Sequence, residues 1–205
     1  MLLDTGADVN AQGGRYRNAL QAASEGSHKI VVQMLLDTGA NVNAQGGLYV
    51  NTLQAASDGG HKTVVQMLLD TGANVNTQGG LYVNALQAAS DSGHKTVVQM
   101  LLATGGIRGE YGNALQAASW NGYEEVVQML LDMGANVNTQ GGRYVNALQA
   151  ASFGGYKTVV RMLLDAGANV NARGGRYGNA LQAASACGHG TVVQMLLNHG
   201  ATTVS

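Results

Sequence analysis

One seven-residue word organises this chain. NALQAAS begins at Asn18, Asn84, Asn113, Asn146 and Asn179, and the near-copy NTLQAAS begins at Asn51. Four of the five intervals are equal, each matching the step from Asn18 to Asn51, and the one from Asn84 to Asn113 is shorter. A fixed period of this size marks small supersecondary units, each of which needs its neighbour to bury its apolar face. The spacing therefore restricts the chain to a stack of near-identical units.

One unit, residues 51–83, reads as NTLQAASDGGHKTVVQMLLDTGANVNTQGGLYV. Asn51 is a good N-cap, because its side-chain oxygen can accept an orphan backbone N–H. Gln54, three residues on, suggests a capping box in which the glutamine reaches back to the cap. A short helix over 52–57 follows, kept thin by its alanines, and Asp58-Gly59-Gly60 breaks it. A second helix is expected over 61–70, with Val64, Val65, Leu68 and Leu69 forming an apolar stripe at helical period. Gly72 suits the C-cap, and Gly79-Gly80 suits the positive φ of a hairpin tip. Helices this short are marginal alone in water. Stacking covers each stripe with the next, so the word recurs because each copy must fit the copy beside it.

Composition narrows what such a stack can do. Charged residues are 11% of the 205 and the net charge is −1, so no basic field points to nucleic acid. Apolar runs are too short to span a bilayer. The single cysteine, Cys187, allows no internal disulfide and fits a reducing, cytoplasmic setting. No HExxH, CxxC, GxSxG or Gly-Lys pair occurs in the sequence, so Gly60-His61-Lys62-Thr63 is not a phosphate loop. No enzyme, cofactor or metal is expected. His28, His61 and His94 recur at the period, with His189 at the same place. Neighbouring units sit about 10 Å apart, too far for such a ladder to converge on one ion. These histidines read as loop-to-helix hydrogen-bonding groups.

The stretch ALQAASDSGHKTVVQMLLATG and its relatives resemble the ankyrin repeat, over residues 1–201. The period, Gly-His before the second helix, the Val-Val and Leu-Leu stripe and Gly-Ala-Asn-Val-Asn after it all match. One departure is the Asn-Ala-Leu-Gln start, where the family usually has Thr-Pro-Leu-His; the asparagine cap is expected to replace the family's internal hydrogen bonding. The resemblance implies an all-α solenoid of helix-turn-helix units with β-hairpin or loop fingers. Its divisions are a partial unit at 1–17, repeats at 18–50, 51–83, 84–112 (shortened finger), 113–145 and 146–178, and a last repeat at 179–205. Tyr111–Ser119 and Tyr177–Ser185 look like ankyrin arrays of filamentous fungi. Those often form the sensor region of NACHT-type (NLR-like) NTPases or accompany nucleoside-phosphorylase-like domains.

What the family resemblance implies is a non-catalytic module that binds another protein, as the recognition part of a larger intracellular sensor. A groove that binds or processes a small molecule and a structural spacer are the alternatives. Met1–Ala7 matches Met34–Ala40, so the chain is expected to begin inside a second helix. The apolar face of Leu20, Val31, Val32 and Leu35 would then be under-covered and prone to end-to-end self-association. Thr202–Ser205 stands where a finger would be and reads as a true terminus. Residues 105–111 are expected to form a stunted finger between intact helix pairs.

Packing demands sameness, so positions that differ between copies are available for recognition. After the first helix stand Glu25, Asp58, Asp91, Trp120, Phe153 and Ala186. The fingers carry Arg15, Leu48, Leu81, Arg143 and Arg176, with Arg173 nearby. In ankyrin proteins these places line the groove and finger tips. One end is thus acidic through Glu25, Asp58 and Asp91, and the other is aromatic and basic. Trp120 and Phe153, one period apart, should stand side by side. Tyr123 and Tyr156, which replace the recurring histidine, follow three residues after each. These aromatics and arginines are the expected anchors for a protein partner. The recurring finger tyrosines, Tyr16, Tyr49, Tyr82, Tyr111, Tyr144 and Tyr177, read as packing residues with their hydroxyls at the surface.

Overall fold

The computed structural model of the chain describes residues 6–105, 111–141 and 145–202. Among them are twelve helices and no strand. The first helices of the pairs are α1 (Ala19–Glu25), α3 (Thr52–Asp58), α5 (Ala85–Asp91), α7 (Tyr111–Asn121), α9 (Ala147–Gly154) and α11 (Ala180–Ala186). The second helices are α2 (Lys29–Asp37), α4 (Lys62–Asp70), α6 (Lys95–Ala103), α8 (Glu124–Asp132), α10 (Lys157–Asp165) and α12 (Gly190–Asn198). The pairs fall into two compact units, Met1–Ile107 and Arg108–Ser205. Within each unit, first helices pack on first helices and second helices on second helices.

The asparagines cap as their chemistry requires. Asn18, Asn51, Asn84, Asn146 and Asn179 hold extended backbone, and each Oδ1 accepts from the N–H three residues on. Those bonds are 2.8 Å long. The short interval departs from this rule. There α7 begins at Tyr111, so Asn113 lies inside the helix rather than ahead of it. Both flanking helix pairs are present; the expected stunted finger itself falls on residues outside those described, as does the helix expected at Met1–Asp4. At the other helix ends a glycine takes the left-handed conformation, as at Gly72 with φ +87°, and Ala73 N–H donates to Leu68 O at 2.9 Å.

The capping box is not formed. The Gln54 backbone N–H meets Asn51, but its side-chain Nε2 donates forward to Thr77 O (3.3 Å) and Gly79 O (3.2 Å). Gln21, Gln116 and Gln149 likewise reach Gly46 O, Thr139 O and Ala172 O. Once Asn51 N–H is taken by Tyr49 O, the glutamine has no reason to turn back, and the carbonyls of the finger that follows lie within reach. Those fingers close on single hydrogen bonds, such as Gly46 N–H to Val50 O at 2.7 Å, rather than on a strand ladder. Two isolated bridges, Gly141 with Val145 and Gly174 with Gly178, are the nearest approach to a hairpin among the described residues.

Each helix pair contributes leucines to the core. Leu53, Leu68, Leu86, Leu101, Leu115, Leu130, Leu163 and Leu196 are fully buried. In α4, Val64, Val65 and Leu68 form the buried stripe and Leu69 is only half-buried. The expectation for the first pair needs correction, because Leu20, Val32 and Leu35 are buried. Val31 alone of the four is under-covered, at 46% exposed where Val64, at the equivalent place, is 0%. Its neighbour Ile30 is 71% exposed.

A second clamp runs between fingers. Asn43 Nδ2 donates to Gly72 O (3.0 Å) while its Oδ1 accepts from Asn74 N–H (2.7 Å). Asn10, Asn138 and Asn171 grip the next copy in the same way. Gln54 is fully buried and Asn43 is exposed, which ranks the two clamps. Gln54→Ala should lower unfolding free energy by about 2–3 kcal/mol, since it leaves carbonyls unpaired in a dry site, and Asn43→Ala by about 1 kcal/mol. Urea unfolding checks both; a Gln54→Ala loss below that of Asn43→Ala would contradict the ranking.

Candidate functional site

The site is built on one register position, at or one residue before the end of each first helix, and on the finger tyrosine beside it. The backbone oxygen at this position is already used in three of the six copies. Glu25 O, Asp58 O and Phe153 O accept from His61, His94 and His189 Nε2 at 2.7, 2.8 and 2.9 Å. The histidine ladder is therefore a stitch between copies. Among the described residues no group of three His, Cys, Asp or Glu could hold a metal ion. The side chains at this position differ from one copy to the next.

In the first unit this slot is closed by hydrogen bonds. The Asp58 carboxylate accepts from Tyr49 Oη (3.0 Å) and Ser92 Oγ (2.8 Å), and Tyr82 also hydrogen-bonds to it. The Tyr49 and Tyr82 hydroxyls thus point inward to an acid instead of lying at the surface as expected; a buried phenol needs an acceptor, and Asp58 is the one at hand. Burial, then the bond to Asp58, pushes Tyr49 up to about 12. The same causes in the same order raise Tyr82 as well. Glu25 and Asp91 occupy the equivalent positions and are half-buried. Leu48 is half-buried, with its oxygen accepting from Leu81 N–H, and Leu81 is 57% exposed.

In the second unit the same slot is filled by rings. Trp120 and Phe153 stack with centroids 4.7 Å apart and planes 9° apart. Phe153 meets Tyr177 at 5.4 Å and 38°. Tyr177 stands as far along the chain after Phe153 as Tyr82 stands after Asp58. One geometry thus hosts a phenol–carboxylate bond in one unit and an aromatic ladder in the other. The Arg176 guanidinium lies 5.9 Å from the Tyr177 ring centroid. Trp120, Phe153, Arg176 and Tyr177, with Val145, Gln149, Ala150 and Ala183, line a cavity of about 230 Å³.

The expected residues divide accordingly. Trp120, Phe153 and Arg176 come together. Arg173 is exposed but is not among the described lining residues, and Arg143 falls outside those described. Tyr123 and Tyr156 are 37% exposed and stand at the starts of α8 and α10. The Tyr156 ring packs against the backbone of Gly122 and Gly154, where added Cβ atoms would fall 2.4 and 2.1 Å from it. Tyr156 thus belongs to the stacking of loops, and neither tyrosine is among the described residues that line the cavity. Tyr177, a packing residue by its sequence, is the third member of the ladder. Its sequence signal is the offset from Phe153, the same as that from Asp58 to Tyr82.

A family model described as ankyrin repeats (3 copies) matches residues 1–79, 52–141 and 140–205. The chain belongs to the ankyrin-repeat family. Among solved structures it is similar to the human ASB11 ankyrin repeat domain, with TM-score 0.80 and 27% identity over 99% of this chain and 92% of that one. No curated protein matches. Ankyrin repeats are in general protein–protein interaction modules and typically non-catalytic. No described helix is long and apolar enough to cross a membrane.

The buried phenol predicts an alkaline weakness. A tyrosine whose folded-state pKa lies above its ordinary 10.0 holds more protons folded than unfolded. Its stabilisation is therefore complete below pH 10 and is lost as pH rises towards about 12. Denaturant melts across that window should show falling stability, and the fall should be shallower in Asp58→Asn, which removes the charge opposing ionisation. Equal slopes in both proteins would contradict the role given to Asp58.

Proposed function

We propose that this ankyrin array binds another protein, and that the binding centre is the Trp120–Phe153–Tyr177 ladder with Arg176. The observation that carries the reading is the contrast at one register position. Where the first unit fills its slot with hydrogen bonds at Asp58, the second fills it with stacked, half-buried rings that line a cavity beside an exposed arginine. Aromatic and arginine side chains in a partly desolvated pocket are the usual anchors of protein interfaces. On the resemblance of Tyr111–Ser119 and Tyr177–Ser185 to fungal arrays, the module serves as the recognition part of a larger cytoplasmic sensor of the NACHT type. Arg143, Arg173, Leu81 and the acids Glu25 and Asp91 extend the contact surface on their own units. A small-molecule site is the weaker reading, since about 230 Å³ is below the roughly 300–1,000 Å³ of ligand pockets.

Trp120→Ala and Phe153→Ala should each weaken binding to a partner recovered by cross-linking by about 2 kcal/mol or more, on the order of thirty-fold. Unfolding midpoints should move much less, because only the stacking contact is lost. Normal affinity in both variants, or global unfolding of both, would remove the ladder as the site.

Ile30 and Val31 favour a second contact, between copies of the chain. Both are exposed on the first helix pair, and Ile30 stands where other copies have Thr63, Thr96, Glu125, Thr158 and Thr191. Static light scattering should show association that Ile30→Thr reduces; a concentration-independent monomer would end this reading.

A further inference from the structure

We infer that the Trp120–Phe153–Tyr177 cavity accepts one large apolar side chain of an extended protein segment, and that Arg176 engages a carboxylate next to that side chain. This rests on the protein-binding reading above and names the chemistry of its partner. The interior is apolar and aromatic, formed by Trp120, Phe153, Val145, Ala150 and Ala183. Of the polar side chains that line it, Gln149 already donates its amide to Ala172 O at 3.2 Å, and Arg176 and Tyr177 supply the others. A polar group seated against the Trp120, Phe153 and alanine wall would lose water there and gain little in return.

Size selects the occupant further. An apolar cavity of about 150 Å³ takes benzene, so about 230 Å³ holds a leucine, methionine or phenylalanine side chain with room for its backbone approach.

Charge selects what stands beside it. The described acids of the second unit, Glu124, Glu125, Asp132 and Asp165, all lie on the second helices α8 and α10. None of them lines the cavity, and Arg176 is the one charged residue among the described lining residues. Its guanidinium is held near the Tyr177 ring, which leaves its planar donor fork for a carboxylate. Arg173, exposed on the same finger, adds to the positive field. A basic segment would meet like charge and an unchanged desolvation cost. The partner is therefore an acidic-apolar stretch, with Asp or Glu within a residue or two of the anchor.

Selection of displayed random peptides on the intact chain tests this. The expected consensus is one large apolar residue with an adjacent acid. Affinity for the best synthetic peptide is then read from the fluorescence of Trp120, the single tryptophan of the chain. Changing the peptide acid to its amide should weaken binding by about tenfold or more on the unmodified protein, and by less than about twofold on Arg176→Ala. Arg176 is exposed, so this variant keeps the fold, and an unchanged unfolding midpoint verifies that. Equal losses in both backgrounds, or a neutral or basic consensus that still needs Phe153, would overturn the inference and leave the protein-binding reading standing. No enriched peptide, or peptides that bind Phe153→Leu as well as the unmodified chain and, carrying a fluorescent label of their own, bind Trp120→Ala equally well, would overturn both.

Discussion

The structure depends on side-chain amides that satisfy the backbone of the neighbouring copy. A helix pair of this length has an apolar stripe it cannot cover and helix ends it cannot pair. Asn43 and Gln54 address the second problem in opposite settings. Asn43 acts at the exposed finger base, where it binds Gly72 O and Asn74 N–H together. Gln54 acts in the buried layer, on Thr77 O and Gly79 O. With His61 and His94 stitching one first-helix end to the next loop, three polar ladders hold the copies in register. Leucine burial supplies the driving force but is non-directional; the amide bonds, with fixed lengths and angles, select the spacing.

This division explains why chemistry is confined to so few places. The recurrent glutamines, finger-base asparagines and loop histidines are committed to a neighbouring copy, and the recurrent leucines to the core. The position of Asp58 and Phe153 near the end of the first helix is not tied down in this way. Asp58 turns that slot into an internal node by gathering Tyr49, Tyr82 and Ser92. Phe153 turns the same slot outward, because a ring offers the neighbouring tyrosine a face but no acceptor. The finger fold does not need to change for the role to change: a residue with lone pairs consumes the hydroxyls around it, and a ring leaves an apolar cavity beside them.

Some of this was legible along the chain. The period placed Trp120 beside Phe153, because the two differ by one step of the stack, and the asparagine caps followed from local chemistry. What failed were inferences that let sequence neighbours stand for spatial ones. Gln54 is three residues from Asn51, which suggested a reach-back, yet its acceptors lie 23 and 25 residues away. Tyr123 and Tyr156 are three residues from the ladder and do not line its cavity, whereas Tyr177, in the finger that follows, completes it.

The sequence by itself determined the stack, its helix pairs, the caps and the residues that escape the repeat, because period, propensity and capping act over one or two turns of chain. Tertiary structure alone decided which way Gln54 turned, that Asp58 was consumed by two phenols and a hydroxyl, and that Tyr177 with Arg176 finished a cavity begun by Trp120 and Phe153. The physical reason is that a hydrogen bond or ring contact is chosen by which partner lies within a few ångströms, and in a stack those partners come from the next copy.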